Sequence, residues 1–304
     1  MSDQWLSLFE EKVNDLKQQK TEQNNIPVSQ FLQGEYLPDS RIFVRKTDIR
    51  IDELIKTQND FKLAISLRKY ARIFLNKALN PEKILFIDTE TTGLSRSQGT
   101  YVFMLGIGQI MGGFFQIRQY FVEEMNQEII LYQHLIDTFR ETELFVSYNG
   151  KSFDVPLLQS RMILLRQEIN LRLIPHLDLL PVTRRLWKDQ VDSFSLSRME
   201  YHLFEKMRDA EFDVPGYLIP ALYAEYQQSG NPEKLISVFY HNEDDIASLL
   251  AIYGIVTQVF NDERYVFDSD RFNLVEIGRL FEQINEPGQA LSYYEKAIEK
   301  KDQK

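Results

Sequence analysis

ILFIDTETTGL, residues 84–94, decides the interpretation of the whole chain. Its first four residues are apolar and predict a short buried strand. The strand runs into Asp88 and Glu90, and residues two apart on a strand point to the same face. Two neighbouring carboxylates repel each other unless a cation neutralises them, and hard divalent ions such as Mg²⁺ and Mn²⁺ take oxygen ligands. The pair therefore predicts a divalent metal site, with two solvated acids at a strand end as the alternative.

The residues that follow this strand predict an α/β protein. The segments 99–110 and 114–122 bracket Gly112-Gly113, a pattern typical of a β-hairpin. Hydrophobic periodicity then predicts a helix at 127–140, a buried strand at 143–149, a helix at 156–167, a fifth strand or extended piece at 174–180, and mainly helices from about residue 193. A hairpin followed by alternating strands and helices indicates a mixed β-sheet flanked by helices.

Three parts are predicted along the chain. Residues 1–80 form a mostly helical extension without an assigned role, with helices at 5–20 and 59–78 and a strand-like RIFVR at 41–45. Residues 81–262 form the central domain. Residues 268–304 have small and apolar residues at the spacings of a tetratricopeptide helix pair: Leu274, Ile277, Gly278, Phe281, Ala290, Tyr294 and Ala297.

Composition limits the function classes. The formal net charge of −10 argues against a protein that coats nucleic acid nonspecifically, because such binding neutralises phosphates with Lys and Arg. The chain has no cysteine, which excludes disulfides, thiolate zinc sites and thiol catalysis. The N-terminus does not have the pattern of a signal peptide, and no apolar run approaches the roughly 20 residues that span a bilayer. We expect a cytoplasmic protein without a membrane partner.

Two further motifs carry polar residues suited to chemistry. NGKSFD, residues 149–154, follows a predicted strand, so Asp154 is either a helix N-cap or a metal ligand. YHNEDDI, residues 240–246, reads as a helix on which His241 and Asp245 share a face, as do Tyr240 and Asp244. A histidine beside a metal-binding acid suits hydrolysis, because it can take a proton from water near neutral pH. The alternative is an acidic helix start with a solvated histidine.

Taken together, FIDTETTG, NGKSFD and the late helix resemble the DEDD superfamily of 3′–5′ exonucleases. TETTGL, YNGKSFDVPLL and YHNEDDIASL look more narrowly like the ribonuclease H-like domain of YprB-type bacterial proteins, which carry a tetratricopeptide segment after that domain. The resemblance covers residues 83–255 strongly, the tail moderately and the N-terminal 80 residues weakly. It implies a ribonuclease H-like fold and hydrolysis of single-stranded DNA or RNA. It also implies two Mg²⁺ or Mn²⁺ ions, held by Asp88, Glu90, Asp154 and a late-helix acid.

The late helix departs from the superfamily pattern. Its six-residue histidine form is absent, since position 246 is Ile, and Tyr240 with Asp244 matches the tyrosine form. We favour Asp245 with His241 as base, because Leu249, Ile252 and Tyr253 fall near the face of Asp245. Tyr240 with Asp244 stays the alternative pair.

Substrate contacts follow from the same resemblance. It places Thr91, Thr92 and Leu94 at the 3′ nucleotide, and we add Asn149 and Lys151 from the second motif. Basic residues in the middle of the chain either track phosphates or form solvated helical faces: Lys151, Arg161, Arg166, Arg172, Arg184, Arg185 and Lys188. His176 and Asp178 are expected to pack beside the site rather than to react.

Two rival functions stay open. One is a structure-specific endonuclease on the same scaffold. The other is a weakly active nucleic-acid-binding scaffold whose C-terminal helices dock a protein partner. The sequence does not separate DNA from RNA.

Overall fold

The computed structural model describes residues 26–51, 79–93, 99–208 and 213–302. The helices predicted at 5–20 and 59–78 lie outside these ranges, as does Leu94. Within the described ranges no helix is long and apolar enough to cross a membrane.

One seven-stranded mixed sheet organises the chain, as predicted. Its strands are β1 (Glu35–Tyr36), β2 (Ile42–Arg50), β3 (Ile84–Thr91), β4 (Val102–Met111), β5 (Phe114–Val122), β6 (Leu144–Ser147) and β7 (His176–Asp178). They lie in the order β1-β2-β5-β4-β3-β6-β7. In this spatial order, the neighbouring strands from β1 through β2, β5 and β4 to β3 pair in antiparallel fashion. The pairs β3–β6 and β6–β7 are parallel. β3 is an interior strand with β4 on one side and β6 on the other, so its carboxyl end lies between two neighbouring strands.

Two of these strands come from residues that the sequence placed in the N-terminal extension. The RIFVR segment begins β2, which pairs with β5 along its whole length from Ile42–Val122 to Arg50–Phe114. Its first three residues are buried, while the rest alternates between half-buried and exposed. Such a short apolar start followed by charged residues carries little strand signal in the sequence. The division at residue 80 stays a prediction, and residues 35–50 belong to the sheet.

Nine helices of the described part cover the two faces. They are α1 (Glu128–Glu141), α2 (Asp154–Leu164), α3 (Leu179–Leu186), α4 (Leu196–Phe204), α5 (Ile219–Ser229), α6 (Ile236–Asn261), α7 (Glu263–Phe267), α8 (Leu274–Gln283) and α9 (Pro287–Asp302). The apolar residues of α1 and α2 pack on one face, and those of α6 pack on the other. The sheet is therefore buried on both sides.

The alternation of β3 sorts its side chains between these two layers. Ile84 and Phe86 join the core under α6, whereas Leu85 and Ile87 join the core under α1 and α2. The Phe86 ring meets Tyr253 of α6 edge to face at 5.4 Å between centroids. The same two-residue period carries Asp88 and Glu90 to the α6 side and Thr89 to the α2 side.

The tail forms a helix pair that packs on the central domain. The ring of Phe281 in α8 stacks on Tyr293 in α9, with centroids 5.2 Å apart. The backbone N–H of Asn273 donates to Leu186 O at 2.8 Å, which ties the start of α8 to α3. The pair therefore buries its apolar face against this chain, and its tetratricopeptide identity stays a prediction.

Candidate functional site

The carboxyl end of β3 delivers the first two acids. Glu90 is buried and Asp88 is half-buried at the α6 face. The register with β4 shifts between Glu90 and Thr91, an irregularity that ends regular pairing at this point. Strand irregularities of this kind re-aim side chains near functional sites. The D-x-E spacing therefore places two carboxylates on one face, as the sequence indicated.

Asp154 reaches the same edge from α2. It is the first residue of that helix, whose N-cap residue is Phe153. No side-chain cap bond forms at Phe153. The buried carboxylate of Asp154 instead accepts a hydrogen bond from the Thr89 hydroxyl. The carboxylate of Asp154 is thus directed at β3.

A further acid near the site, Asp178, stabilises the turn that precedes α2. Its carboxylate accepts backbone N–H bonds from Asn149 at 2.8 Å and Lys151 at 3.1 Å. Its neighbour His176 lies 2.8 Å from the Ser147 hydroxyl, and burial lowers the pKa of His176 to about 4, which keeps the ring neutral. These two residues organise the turn, while the side chains of Asn149 and Lys151 stay exposed.

Asn242 on α6 positions Asp88 by a hydrogen bond, and its role was not predicted from the sequence. Its Nδ2 donates to Asp88 Oδ2 at 2.8 Å, and its Oδ1 accepts from Gln119 Nε2 at 3.1 Å. Arg45 Nη1 donates in turn to Gln119 Oε1 at 2.9 Å. The result is a chain of hydrogen bonds that runs across β2, β5 and β4 to the first acid. Its one sequence signal is that Asn242 lies one helical turn before Asp245.

Two glycines of β4 let α6 come this close to the sheet. Gly106 pairs with Asp88 across the β3–β4 ladder. A Cβ added to Gly106 would lie 2.9 Å from Asn242 Cγ, and one added to Gly108 would lie 2.7 Å from Ile246 Cγ2. Alternate glycines in a strand mark close approach of another segment. The Gly-Ile-Gly run therefore sets the height of α6 over Asp88.

Replacing Gly106 by alanine is expected to destabilise the fold. The added methyl meets Asn242, whose amide is fixed by both Gln119 and Asp88, so the helix must shift. We expect a loss of about 1–3 kcal/mol in the free energy of unfolding, measured by urea titration. Gly288→Ala is the matched control, because nothing lies within 4 Å of its added Cβ and the residue is helical. An unchanged stability of Gly106→Ala would contradict this account of the helix–sheet contact.

The late helix brings His241 and Asp245 to the site. Asp245 has a side chain 15% exposed, and His241 Nε2 lies 3.7 Å from its Oδ2. The negative charge of Asp245 contributes to raising the pKa of Asp88, after the larger effect of burial. His241 Nδ1 lies 2.8 Å from Asp213 Oδ1, so a carboxylate also faces the other ring nitrogen.

The alternative pair on this helix lies elsewhere. Asp244 is 41% exposed and bonds to Lys206 at 2.8 Å. Tyr240 is at the surface, with the Arg45 guanidinium 5.2 Å from its ring centroid. The helix thus directs Asp245 toward β3 and Asp244 toward a surface lysine.

Arg208 is the principal group at the site that the sequence did not reveal. Its side chain is 7% exposed, and it forms ion pairs with Glu200 at 2.7 Å and with Asp245. The Glu200 side chain is fully buried against Arg208 and Ser248. Nothing in the spacing of these residues predicts the contact, since the loop after α4 folds back onto α6.

The site gathers more carboxyl groups than the neighbouring cation Arg208 can neutralise. Burial raises the pKa of Glu90 well above its usual range, and the charges of Asp88, Asp245 and Asp154 add to this. Burial also raises the pKa of Asp154 to about 6. Arg208 opposes these effects at Asp88 and Glu90 but is shared with Glu200. A set of buried carboxylates short of cations fits divalent metal ions in charge and in ligand type.

The arrangement of these acids is not that of a closed ligand shell. Among residues 26–51, 79–93, 99–208 and 213–302, no three His, Asp or Glu side chains surround a common point as ready metal ligands. Three of the acids are instead held by donors of the protein: Asp88 by Asn242, Asp154 by Thr89, and Asp245 by Arg208. Metal binding would require these carboxylates to reorient.

The residues that were predicted to contact substrate fall into two groups. Some form bonds within the fold, and the others are exposed or half-buried. The Thr91 hydroxyl donates to Gly93 O at 2.8 Å, and the Thr92 hydroxyl accepts from Tyr101 N at 3.2 Å, so both stabilise the strand end. Arg161 pairs with Glu128 at 2.6 Å, and Lys188 with Glu276 at 2.8 Å. These two basic residues are therefore occupied within the fold. Lys151, Arg166, Arg172 and Arg184 are exposed, and Arg185 is half-buried.

Comparison with known proteins shows the family to which this chain belongs. A model of the ribonuclease H superfamily matches residues 85–257, which is more than half of the chain and includes β3, α2 and the late helix. The chain belongs to the ribonuclease H superfamily.

Individual relatives agree with this family. The chain is 33% identical over 225 residues to the uncharacterized protein YprB of Bacillus subtilis, a match that covers 74% of this chain. It spans about half of that relative, 54% of its length. A DNA polymerase of Methanocaldococcus jannaschii is 30% identical over 118 residues, covering 32% of this chain and 7% of the polymerase.

A solved structure was also found to be similar. The family B DNA polymerase of Pyrobaculum calidifontis superposes with a TM-score of 0.43 at 16% identity. The match covers 68% of this chain and 30% of the polymerase.

Proposed function

We propose that this protein is a divalent-metal-dependent nuclease that hydrolyses phosphodiester bonds of single-stranded nucleic acid from the 3′ end. The observation that carries the proposal is the meeting of acids from three elements, Asp88 and Glu90 of β3, Asp154 of α2 and Asp245 of α6, in a superfamily of nucleases. Gathering four carboxylates in a largely buried site costs free energy, and a purely structural role gives no reason for that cost.

The four acids share one role in the proposed reaction, and other residues orient them or contact the substrate. Asp88, Glu90, Asp154 and Asp245 would hold two Mg²⁺ or Mn²⁺ ions, which when bound stabilise the attacking and leaving oxygens of an in-line displacement. Thr89 and Asn242 orient Asp154 and Asp88 by hydrogen bonds. Exposed Asn149 and Lys151, on the turn beside Asp154, are suited to contact the phosphate backbone.

His241 is the proposed proton acceptor. Its Nδ1 lies 2.8 Å from Asp213 Oδ1 and 3.0 Å from Arg208 Nη1, so the tautomer decides which contact is a hydrogen bond. With the proton on Nδ1 it donates to Asp213, and Nε2 is left free to take a proton from the attacking water. Asp213 would thereby orient the base.

The direction of cleavage along the strand can be tested directly. A 5′-labelled single strand of DNA or RNA is incubated with the protein and Mn²⁺, and the products are separated by size. We expect a ladder that shortens from the 3′ end. A discrete internal cut would instead identify the structure-specific endonuclease, and no cleavage of any DNA or RNA would favour a binding scaffold.

The assignment of the late-helix acid predicts opposite results for two adjacent aspartates. Asp245→Asn should lower metal-dependent cleavage by more than about a hundredfold, since ligand loss exceeds the 10–100-fold effect of residues that merely orient a ligand. Asp244→Asn should leave cleavage within about twofold of the parent, because Asp244 pairs with exposed Lys206. Comparable rates of the two variants, or a larger loss in Asp244→Asn, would restore Tyr240 and Asp244 as the reactive pair.

A further inference from the structure

Arg208 is built into the interior between α4 and α6. Its Nε and Nη2 donate to the two carboxylate oxygens of Glu200 at 2.7 and 2.8 Å, in a bidentate arrangement. Glu200 is 0% exposed and also accepts from the Ser248 hydroxyl. A bidentate arginine–carboxylate pair fixes the guanidinium in one orientation. The side chain is therefore anchored from behind and is not a mobile surface cation.

The fixed guanidinium presents its remaining surface to the acidic site. Nη2 also donates to Asp245 Oδ1, and Nη1 lies 3.0 Å from His241 Nδ1. Its positive charge acts against the negative charges at Asp88 and Glu90, as the direction of its effect on both groups shows. Lys206, two residues earlier, bonds instead to Asp244 at 2.8 Å. Arg208 is thus the cation that this loop supplies to the reactive acids.

We infer that Arg208 is an internal counter-cation that competes with divalent metal ions for Asp245. In the arrangement described, Asp245 Oδ1 is taken by Arg208, and Oδ2 faces His241. A metal ion that uses Asp245 must displace the guanidinium or share the carboxylate with it, and it meets like charge in either case. The positive charge of Arg208 stabilises the cluster of acids when no metal is bound. The same charge lowers the affinity of the site for metal ions. The inference rests on the proposed function, since it assumes that these acids bind metal.

The test is a calorimetric titration with MnCl₂, which measures binding without relying on activity. The test variant is Glu200→Gln with Arg208→Met, which frees Asp245 without leaving Glu200 as an unpaired buried charge. The matched control is Asp244→Asn with Lys206→Met, which removes a nearby pair between the segment after α4 and α6 at the same net charge. We expect the test variant to bind Mn²⁺ at least about tenfold more tightly, because the positive charge that pairs with Asp245 is gone. The control should match the parent.

A second variant keeps the inference testable if the double variant does not fold. Arg208→Lys retains a charge near Glu200, but one ammonium cannot replace the planar fork that reaches both Glu200 and Asp245. It should also bind Mn²⁺ more tightly than the parent. Parent and test variants with equal affinities, or weaker binding by the test variants, would overturn the role of Arg208 while the metal site stands. No Mn²⁺ binding by any of the proteins would overturn the proposed function, and the inference with it.

Discussion

Asp88→Asn is expected to stabilise the metal-free protein at pH 7.5 and to abolish its metal-dependent activity. Burial, then the charges of Asp245 and Asp154, raise the pKa of Asp88 well above its usual range. The carboxylate is therefore unfavourable in the folded state when it is ionised. An asparagine removes that charge and can still accept the hydrogen bond from Asn242 Nδ2. Stability and activity should thus change in opposite directions.

The sign of the pH dependence follows from the raised pKa. A carboxyl group with a raised folded-state pKa stabilises the fold below its ordinary pKa, and that contribution is lost as the pH rises through the folded value. For Asp154, a folded pKa of about 6 against 3.8 corresponds to on the order of 3 kcal/mol. For Asp88→Asn we expect a gain in the free energy of unfolding at pH 7.5, because the pKa of Asp88 is raised in the same direction.

Urea titration in EDTA at pH 7.5 and pH 4 measures this difference. The advantage of Asp88→Asn should shrink toward pH 4, where the parent group is protonated in the folded state and close to half protonated in the unfolded state. Asp137→Asn is the control, because that acid is exposed on α1. A variant less stable than the parent at pH 7.5 would contradict the electrostatic account of the site.

Arg208→Met alone is expected to have the largest effect on stability of the substitutions considered. It leaves Glu200, which is 0% exposed, without its ion-pair partner. Breaking one side of a buried pair costs about 3–5 kcal/mol, because the remaining charge is uncompensated. The free energy of unfolding, measured by urea titration in EDTA, should fall by that amount.

Adding Glu200→Gln to Arg208→Met should recover part of the loss, since the Glu200 charge is then gone while Asp245 still lacks its partner. Arg172→Met, an exposed arginine before β7, is the control and should change the free energy of unfolding by less than about 0.5 kcal/mol. A loss below about 1 kcal/mol for Arg208→Met would mean that Glu200 is solvated or neutral, and that the pair does not anchor the loop.

The sequence revealed the parts of the site that depend on local spacing. The two-residue period of a strand places Asp88 and Glu90 together, and the four-residue period of a helix places His241 and Asp245 together. The hairpin around Gly112-Gly113 follows from its turn residues, and β4 and β5 lie where the sequence indicated. In each case the signal spans fewer than about ten residues, which is the range over which backbone geometry alone decides the outcome.

Residues that act through distant contacts could not be found in this way. Asn242 meets Asp88 across 154 positions of sequence, and Arg208 meets Asp245 across 37. Such contacts depend on how α6 crosses the sheet, which in turn depends on the close approach at Gly106. The choice between Asp244 and Asp245 had the same origin, because it depends on which of two adjacent residues faces the sheet. In the folded chain Asp244 pairs with Lys206 and Asp245 with Arg208, and the assignment of Asp245 as the reactive acid stays a prediction.

The most direct test of the central claim measures nucleotide release from a single-stranded oligonucleotide. Parent protein and Asp88→Asn are incubated with the strand and Mn²⁺, with and without excess EDTA, and the products are identified by mass spectrometry. The account predicts mononucleotides from the parent with Mn²⁺, none with EDTA, and a loss of more than about a hundredfold in Asp88→Asn. Release at the parental rate by Asp88→Asn, or no release by the parent from any DNA or RNA strand, would contradict it.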